Sequence, residues 1–157
     1  NPNHEFAPIT PDDIDDCKAM YQEWRAARES EGMEDLDLEQ FAMYEALDNM
    51  DALSLTGGLV RIDGKVEAFT LGERISEKTV LIHIEKANQD IQGLYPFINR
   101  EFLRHFYADM QFVNREEDMG LPGLRRAKES YYPAFMIDKY MVTLKEGITY
   151  ETLHPEG

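Results

Sequence analysis

Residues 58–71 read Gly58-Leu59-Val60-Arg61-Ile62-Asp63-Gly64-Lys65-Val66-Glu67-Ala68-Phe69-Thr70-Leu71. Two extended runs flank an Asp-Gly pair. Such a pair is the strongest short-range hairpin signal, because the tight mirror-image turn needs positive φ at both central residues. After a polar turn a third run, Thr79-Val80-Leu81-Ile82-His83-Ile84-Glu85-Lys86, extends the hairpin into an antiparallel meander. Alternation along this run predicts Leu81, His83 and Glu85 on one face and Val80, Ile82 and Ile84 on the other.

Upstream of the meander, residues 5–10 read as a short edge strand, since Pro8 cannot donate to a ladder. Thr10-Pro11-Asp12-Asp13 then starts a helix, with Thr10 as N-cap, Pro11 at the first helical position and acids in the first turn. Ile14, Cys17, Tyr21 and Trp24 follow at steps of three, four and three, which makes one apolar stripe. An acidic break around Gly32 precedes a second helix with Phe41, Tyr44 and Leu47 along one side. Downstream, Gly93-Leu94-Tyr95-Pro96 opens a long helix whose Leu94, Ile98, Phe102 and Phe106 recur four apart. Residues 110–114 read as a short strand, 121–130 as a helix and 134–144 as a last strand. The order β-α-α-β-β-β-α-β-α-β predicts a mixed α/β (α+β) domain over residues 1–157, with no internal boundary.

Composition narrows the function classes. Sixteen Lys and Arg face 31 Asp and Glu, a net charge of −15. That excludes a DNA-coating or generic nucleic-acid surface, whose footprint is basic, and a polybasic membrane anchor. One cysteine, Cys17, excludes an internal disulfide and a Cys-rich zinc site. No apolar run approaches the roughly 20 residues that cross a bilayer, so no stable membrane insertion is expected. A soluble domain of a reducing, cytoplasmic compartment is the expectation. The charge is uneven: residues 1–78 carry 7 basic and 19 acidic side chains, residues 79–157 carry 9 and 12. An anionic ligand is therefore expected to meet the second half.

The element order is similar to that of the GNAT acyltransferases over nearly the whole chain. The stretch Asn114-Arg115-Glu116-Glu117-Asp118-Met119-Gly120-Leu121-Pro122-Gly123-Leu124-Arg125-Arg126-Ala127-Lys128-Glu129-Ser130-Tyr131-Tyr132-Pro133, with Glu85-Lys86-Ala87 and the helix after Gly93, resembles the C-terminal-domain family of phosphatidylglycerol lysyltransferases. That family includes soluble relatives built from two GNAT-like halves. The resemblance implies that this chain is the second half of a longer protein, with an N-terminal GNAT-like half as partner; the Met-less opening Asn1-Pro2-Asn3 fits this expectation. It also implies a mixed sheet with a splayed central cleft between strands ending near Glu85 and Asn114.

The resemblance implies acyl or aminoacyl transfer to an amine or hydroxyl; the alternative is a non-catalytic half that binds a partner domain or ligand. Acetyl-CoA-dependent GNAT enzymes carry (Arg/Gln)-x-x-Gly-x-(Gly/Ala) before the long helix. Here that stretch is Asp90-Ile91-Gln92-Gly93-Leu94-Tyr95. The amides around Gly93 can hold an anionic substrate group, but Asp90 opposes a pyrophosphate, Tyr95 fills the space a Gly leaves, and Pro96 removes a donor. Acetyl-CoA is disfavoured as cofactor, and aminoacyl-tRNA or another acyl donor is the expected co-substrate.

Glu85 lies where GNAT enzymes place a general base, and partial burial raises a carboxylate toward the working pH. His83, its neighbour on the strand, is more often hydrogen-bonded than catalytic. Tyr131 and Tyr132 lie where the family's leaving-group acid sits, with Pro133 turning Tyr132 out of helical geometry. Lys128 with Tyr131-Tyr132-Pro133 resembles the family's Lys-x-x-aromatic-x-Pro, which lines the substrate site. Asn114 and Arg115 end a strand whose carboxyl end is expected to face the cleft. Arg115 and Arg125 can hold a phosphate or carboxylate in two-pronged fashion, although the adjacent Glu116-Glu117-Asp118 offers them internal partners. The four histidines show no metal-ligand spacing, so no metal site is expected.

Overall fold

The computed structural model describes residues 4–30, 36–117, 120, 122–140 and 142–143. The chain divides into two units, Asn1–Glu117 and Asp118–Gly157, described in turn.

In the first unit, β1 (His4–Pro8), β2 (Thr56–Ile62), β3 (Lys65–Arg74), β4 (Thr79–Ala87) and β5 (Phe112–Asn114) form one sheet in the order β1-β2-β3-β4-β5. The first four strands pair antiparallel, and β5 runs parallel to β4. A parallel neighbour needs a crossover, which α3 (Leu94–Phe106) supplies. The hairpin stands where the Asp-Gly pair puts it, with φ of 50° at Asp63 and 87° at Gly64. β1 is an edge strand, as Pro8 requires. The Thr10 capping box forms with Asp13, whose carboxylate accepts from the Thr10 backbone N–H at 2.9 Å and the hydroxyl at 2.6 Å.

Helices cover both faces of the sheet. On one, α1 (Ile14–Ser30) and α2 (Leu36–Asp48) bring Cys17, Tyr21, Trp24, Met43 and Leu47 onto Leu59, Phe69 and Leu71. On the other, Leu94, Ile98 and Phe102 of α3 pack against Val60, Ala68, Val80 and Ile82. The α1 stripe is the expected one. In α2 the stripe is Leu36, Met43 and Leu47, and Phe41 faces solvent. Its step of three to Tyr44 and six to Leu47 places it at the margin of the apolar arc, where Met43 fills the sheet-facing position instead.

The main correction concerns β4. Leu71 pairs with Ile84 but Gly72 pairs with Ile82, so His83 is an extra, unpaired residue: a β-bulge. Alternation therefore switches at His83. Val80 and Ile82 face α3, and so do Glu85, bonded to Asn99, and Ala87. Ile84 faces α1 and α2, and Lys86 lies over the Trp24 ring. Leu81, His83 and Glu85 do not share a face. The disturbed ladder is backed by side chains: buried Thr70 donates to the Ile84 carbonyl at 2.8 Å, and Tyr107 Oη donates to the Gly72 carbonyl at 3.4 Å. Gly72 is required here, because a Cβ would stand 2.7 Å from the Leu81 carbonyl oxygen.

In the second unit α4 spans Pro122–Glu129. The expected strand over 134–144 is not formed among residues 134–140 and 142–143, and Leu144 lies outside the described residues. Phe135, Met136, Ile137 and Tyr140 are all more than half exposed. An extended apolar sequence becomes a strand only where another strand's edge satisfies its backbone, and composition does not supply that edge.

Gly64→Val tests the hairpin. Nothing lies within 4 Å of a Cβ built at this position, so only the left-handed backbone angle penalises the substitution, by about 1–2 kcal/mol. A lower urea midpoint is expected; an unchanged one would contradict the turn.

Candidate active site

β5 pairs with β4 over only three positions, Thr79 to Leu81 opposite Phe112 to Asn114. β4 then continues to Ala87 with β3 on one side and no β5 partner on the other. The strands splay at this point. The backbone N–H of Asn88 donates to Glu67 on β3 at 2.8 Å, so the main-chain groups of Ala87, one residue earlier, face away from β3 toward the opened edge. There the Tyr95 phenol oxygen lies near the Ala87 amide. The same oxygen accepts from Trp24 Nε1 at 3.1 Å. Burial, above all, pushes the Tyr95 phenol above its ordinary range.

Two consecutive residues after β5 reach back across the splay, one on each face of β4. Arg115 Nη2 lies 2.5 Å from Glu85 Oε1, while Asn99 Nδ2 of α3 donates to Glu85 Oε2 at 2.9 Å. The Glu85 side chain is 8% exposed. Glu116 Oε1 lies 3.2 Å from His83 Nδ1, and Glu73 Oε1 of β3 lies 2.8 Å from His83 Nε2. The His83 side chain is 32% exposed. The left-handed backbone at Glu116 turns its side chain away from that of Arg115. Asn114 shapes the exit: its Oδ1 accepts the Glu116 N–H at 2.8 Å, and Glu116 takes a φ of 56°.

The loop before α3 is poor in available amides. The Asp90 N–H donates to Asn88 Oδ1 at 3.0 Å, the Ile91 N–H to the Asn88 carbonyl at 3.4 Å, and the Leu94 N–H to the Ile91 carbonyl at 3.2 Å. Gly93 is the N-cap of α3, with a φ of 82° that suits glycine. Tyr95 does not fill the space over the loop as expected. It packs with Val60, Ala68, Leu94 and Ile98 and reaches Trp24. On the α1 side of β4, the Lys86 ammonium sits 3.7 Å from the centre of the Trp24 ring and pairs with Glu39. Burial lowers the Lys86 pKa, against the opposing pull of Glu39.

Of the expected site residues, Glu85, Asn114 and Arg115 come together in the first unit, with Gly93 at the start of α3. Arg125, Lys128, Tyr131 and Tyr132 belong to the second unit. There Arg125 is exposed on α4, Lys128 is half-buried, and Tyr131 and Tyr132 close the helix by donating their N–H groups to Lys128 and Glu129. Tyr132 is 91% exposed at a φ of 52°. The sequence reading missed Asn99, Glu73 and Tyr95 as partners of the cleft. Asn99 had a signal, since it adjoins Ile98 within the buried arc of α3. Gly72 inside a strand was the signal for the bulge that brings Glu73 to His83. Among the described residues no group of His, Cys, Asp and Glu is placed to hold a metal ion, and no helix is long and apolar enough to cross a membrane.

A double-mutant cycle measures the bridge on the α3 face. Arg115→Met removes the cation from a buried carboxylate and is expected to cost about 3 kcal/mol. In an Arg115→Met/Glu85→Gln variant the loss is expected to be well short of the sum of the singles. Additive losses in urea denaturation would show that the pair is not coupled.

The family described as phosphatidylglycerol lysyltransferase, C-terminal, matches residues 2–143. A conserved protein of unknown function from Bacteroides thetaiotaomicron VPI-5482 is 41% identical with a TM-score of 0.80, over 85% of this chain and 45% of that one. An uncharacterized protein of Mycoplasmoides gallisepticum is 26% identical over 132 residues, which are 83% of this chain and 41% of the relative. The chain thus spans less than half the length of either. A ribosomal-protein-alanine N-acetyltransferase from Brucella melitensis biovar Abortus 2308 is 10% identical with a TM-score of 0.64, over 90% of this chain and 99% of that one. Likeness at that identity shows the GNAT fold.

Proposed function

We propose, from the premise that the chain belongs to the phosphatidylglycerol lysyltransferase C-terminal family, that it transfers an acyl or aminoacyl group to an amine or hydroxyl acceptor. The observation that carries this reading is the splay of β4 from β5, with charged groups gathered at its edge on both faces of the strand. A cleft of this kind lets two substrates meet without a covalent enzyme intermediate. The acceptor atom loses a proton, attacks the ester or thioester carbonyl, and the leaving atom regains a proton. Holding both substrates in register supplies much of the rate. In this reading Glu85 and Arg115 form the charged floor of the cleft.

The donor is an aminoacyl ester rather than acetyl-CoA. Two loop amides before α3 and that of Leu94, its first residue, are already donated within the protein, Pro96 has none, and Asp90 adds a negative charge where a pyrophosphate would sit. The donor of choice is aminoacyl-tRNA. With a net charge of −15, this chain repels such a donor over most of its surface, so the basic surface for tRNA is assigned to a companion N-terminal half. A second reading, a half that binds a partner and catalyses nothing, is favoured by the Glu85 carboxylate being held by Arg115 and Asn99.

Radiolabelled lysyl-tRNA and labelled acetyl-CoA, each offered with phosphatidylglycerol vesicles and a panel of primary amines, separate these readings. Label is expected to move from lysyl-tRNA, and calorimetry is expected to give no micromolar affinity for acetyl-CoA. Micromolar acetyl-CoA binding would overturn the donor assignment; transfer from neither donor would leave the non-catalytic reading.

A further inference from the structure

The bulge in β4 releases one imidazole from the strand's alternation. His83 has no register partner in the β3 ladder, so its side chain is released from the alternation that fixes its neighbours. It stands two residues past Leu81, the last β4 position paired with β5, and is therefore at the mouth of the splay. Bulges recur beside active sites for this reason: they re-aim one side chain and end pairing.

Its two ring nitrogens are held differently. Nε2 meets Glu73 Oε1 at 2.8 Å, on a carboxylate carried by regular strand. Nδ1 meets Glu116 Oε1 at the longer distance of 3.2 Å, on a more exposed residue just beyond β5. Glu73 on β3 and Glu116 after β5 are the charged groups that face the ring. A carboxylate that accepts from one ring nitrogen fixes the tautomer and leaves the lone pair on the other. With Nε2–H donated to Glu73, Nδ1 faces the Glu116 carboxylate, a contact that is an ion pair only when the ring is protonated; the Nδ1 lone pair is presented once an incoming ammonium takes Glu116 as its partner. An acceptor ammonium arriving there would find a carboxylate to pair with and a base beside it. Glu85 differs: it lies on the opposite face of β4, is 8% exposed, and has both carboxylate oxygens engaged by Arg115 and Asn99.

We propose that His83 is the general base of the transfer, with Glu73 as its positioning residue and Glu116 as the group that draws in a cationic acceptor. This deepens the transferase reading above and rests on it. An ammonium acceptor first gives one proton to solvent; Nδ1 then takes a further proton from the acceptor nitrogen, or the proton of an acceptor hydroxyl, as that atom bonds to the carbonyl carbon of an activated ester. The carbonyl carbon's bond to the leaving oxygen then breaks, and that oxygen takes up a proton, so the imidazole returns to its neutral form by direct or solvent-relayed transfer.

The test uses the full chain with lysyl-tRNA as donor and the acceptor that gives most product. His83→Gln is expected to lower the rate about 100-fold with an unchanged thermal midpoint. The wild-type rate is expected to rise with pH on a limb that vanishes in the variant. Free imidazole is expected to restore part of the rate to His83→Ala. Glu73→Gln is expected to lower kcat about tenfold with KM little changed, and Glu116→Gln to raise KM for an amine acceptor. Active wild-type protein with an undiminished His83→Gln rate would overturn the base assignment alone. A loss in His83→Gln without imidazole rescue and with the pH limb retained would also overturn it, and would mark His83 as a structural residue. Wild-type protein that transfers from no donor would overturn the assignment together with the transferase reading.

Discussion

Strand β4 is covered by helices on both faces, so it must supply apolar side chains in both directions while its far half opens an edge. A strict alternation cannot do this with the sequence it has. If Glu85 followed the parity of His83, a carboxylate would enter the layer under α1, where Ile84 now packs with Phe69 and Leu71. The single extra residue at His83 resolves the conflict. It keeps Val80 and Ile82 against Phe102, then shifts the phase so that Ile84 joins the α1 layer and Ala87 the α3 layer. Ladder groups left over by the shift find Thr70 and Tyr107. Closer packing at Gly72, which has no room for a Cβ, completes the arrangement.

The same phase shift explains how so acidic a protein organises its few cations. Glu85 is turned toward α3, where Asn99 and Arg115 satisfy it. Burying a carboxylate without such partners would cost several kcal/mol. Lys86 is turned the other way and meets an indole face and Glu39. Its lowered pKa records the cost of burial, which these contacts offset only in part. Near the other end of the first unit, Arg61 of β2 joins Asp13 and Asp16 and so ties the meander to the start of α1. Each of these cations is matched to a carboxylate from a different element, which makes the ion pairs long-range connectors rather than local helix pairs.

At the start of α3 the backbone has been put to internal use. A GNAT loop serves an anion by leaving successive amides unbonded at a helix N-terminus, but Asn88 takes two of them here. Tyr95 crosses from α3 to the opened edge of β4, where its oxygen meets the Ala87 amide and the Trp24 indole. These contacts close off part of the edge that the splay exposes. They also make the region around His83, at the other end of the unpaired stretch, the more accessible part of the cleft.

Local signals in the sequence determined a large share of this structure. The Asp63-Gly64 turn, the Thr10 and Asp13 cap, the α1 stripe of Cys17, Tyr21 and Trp24 and the crossover helix with Leu94, Ile98 and Phe102 each depend on residues a few positions apart. Backbone sterics and periodicity act over that range. The GNAT-like architecture and the family were legible for the same reason. Tertiary structure alone decided which way β4 faces beyond Ile82, because a bulge is a property of two paired strands and not of one. It also decided that Glu85 would be bound by Asn99 and Arg115, 14 and 30 residues away, and that His83 would lie between carboxylates from β3 and the β5 exit. The expected strand after residue 134 marks the same limit: alternation specifies a strand's faces, but only a neighbouring backbone makes it a strand.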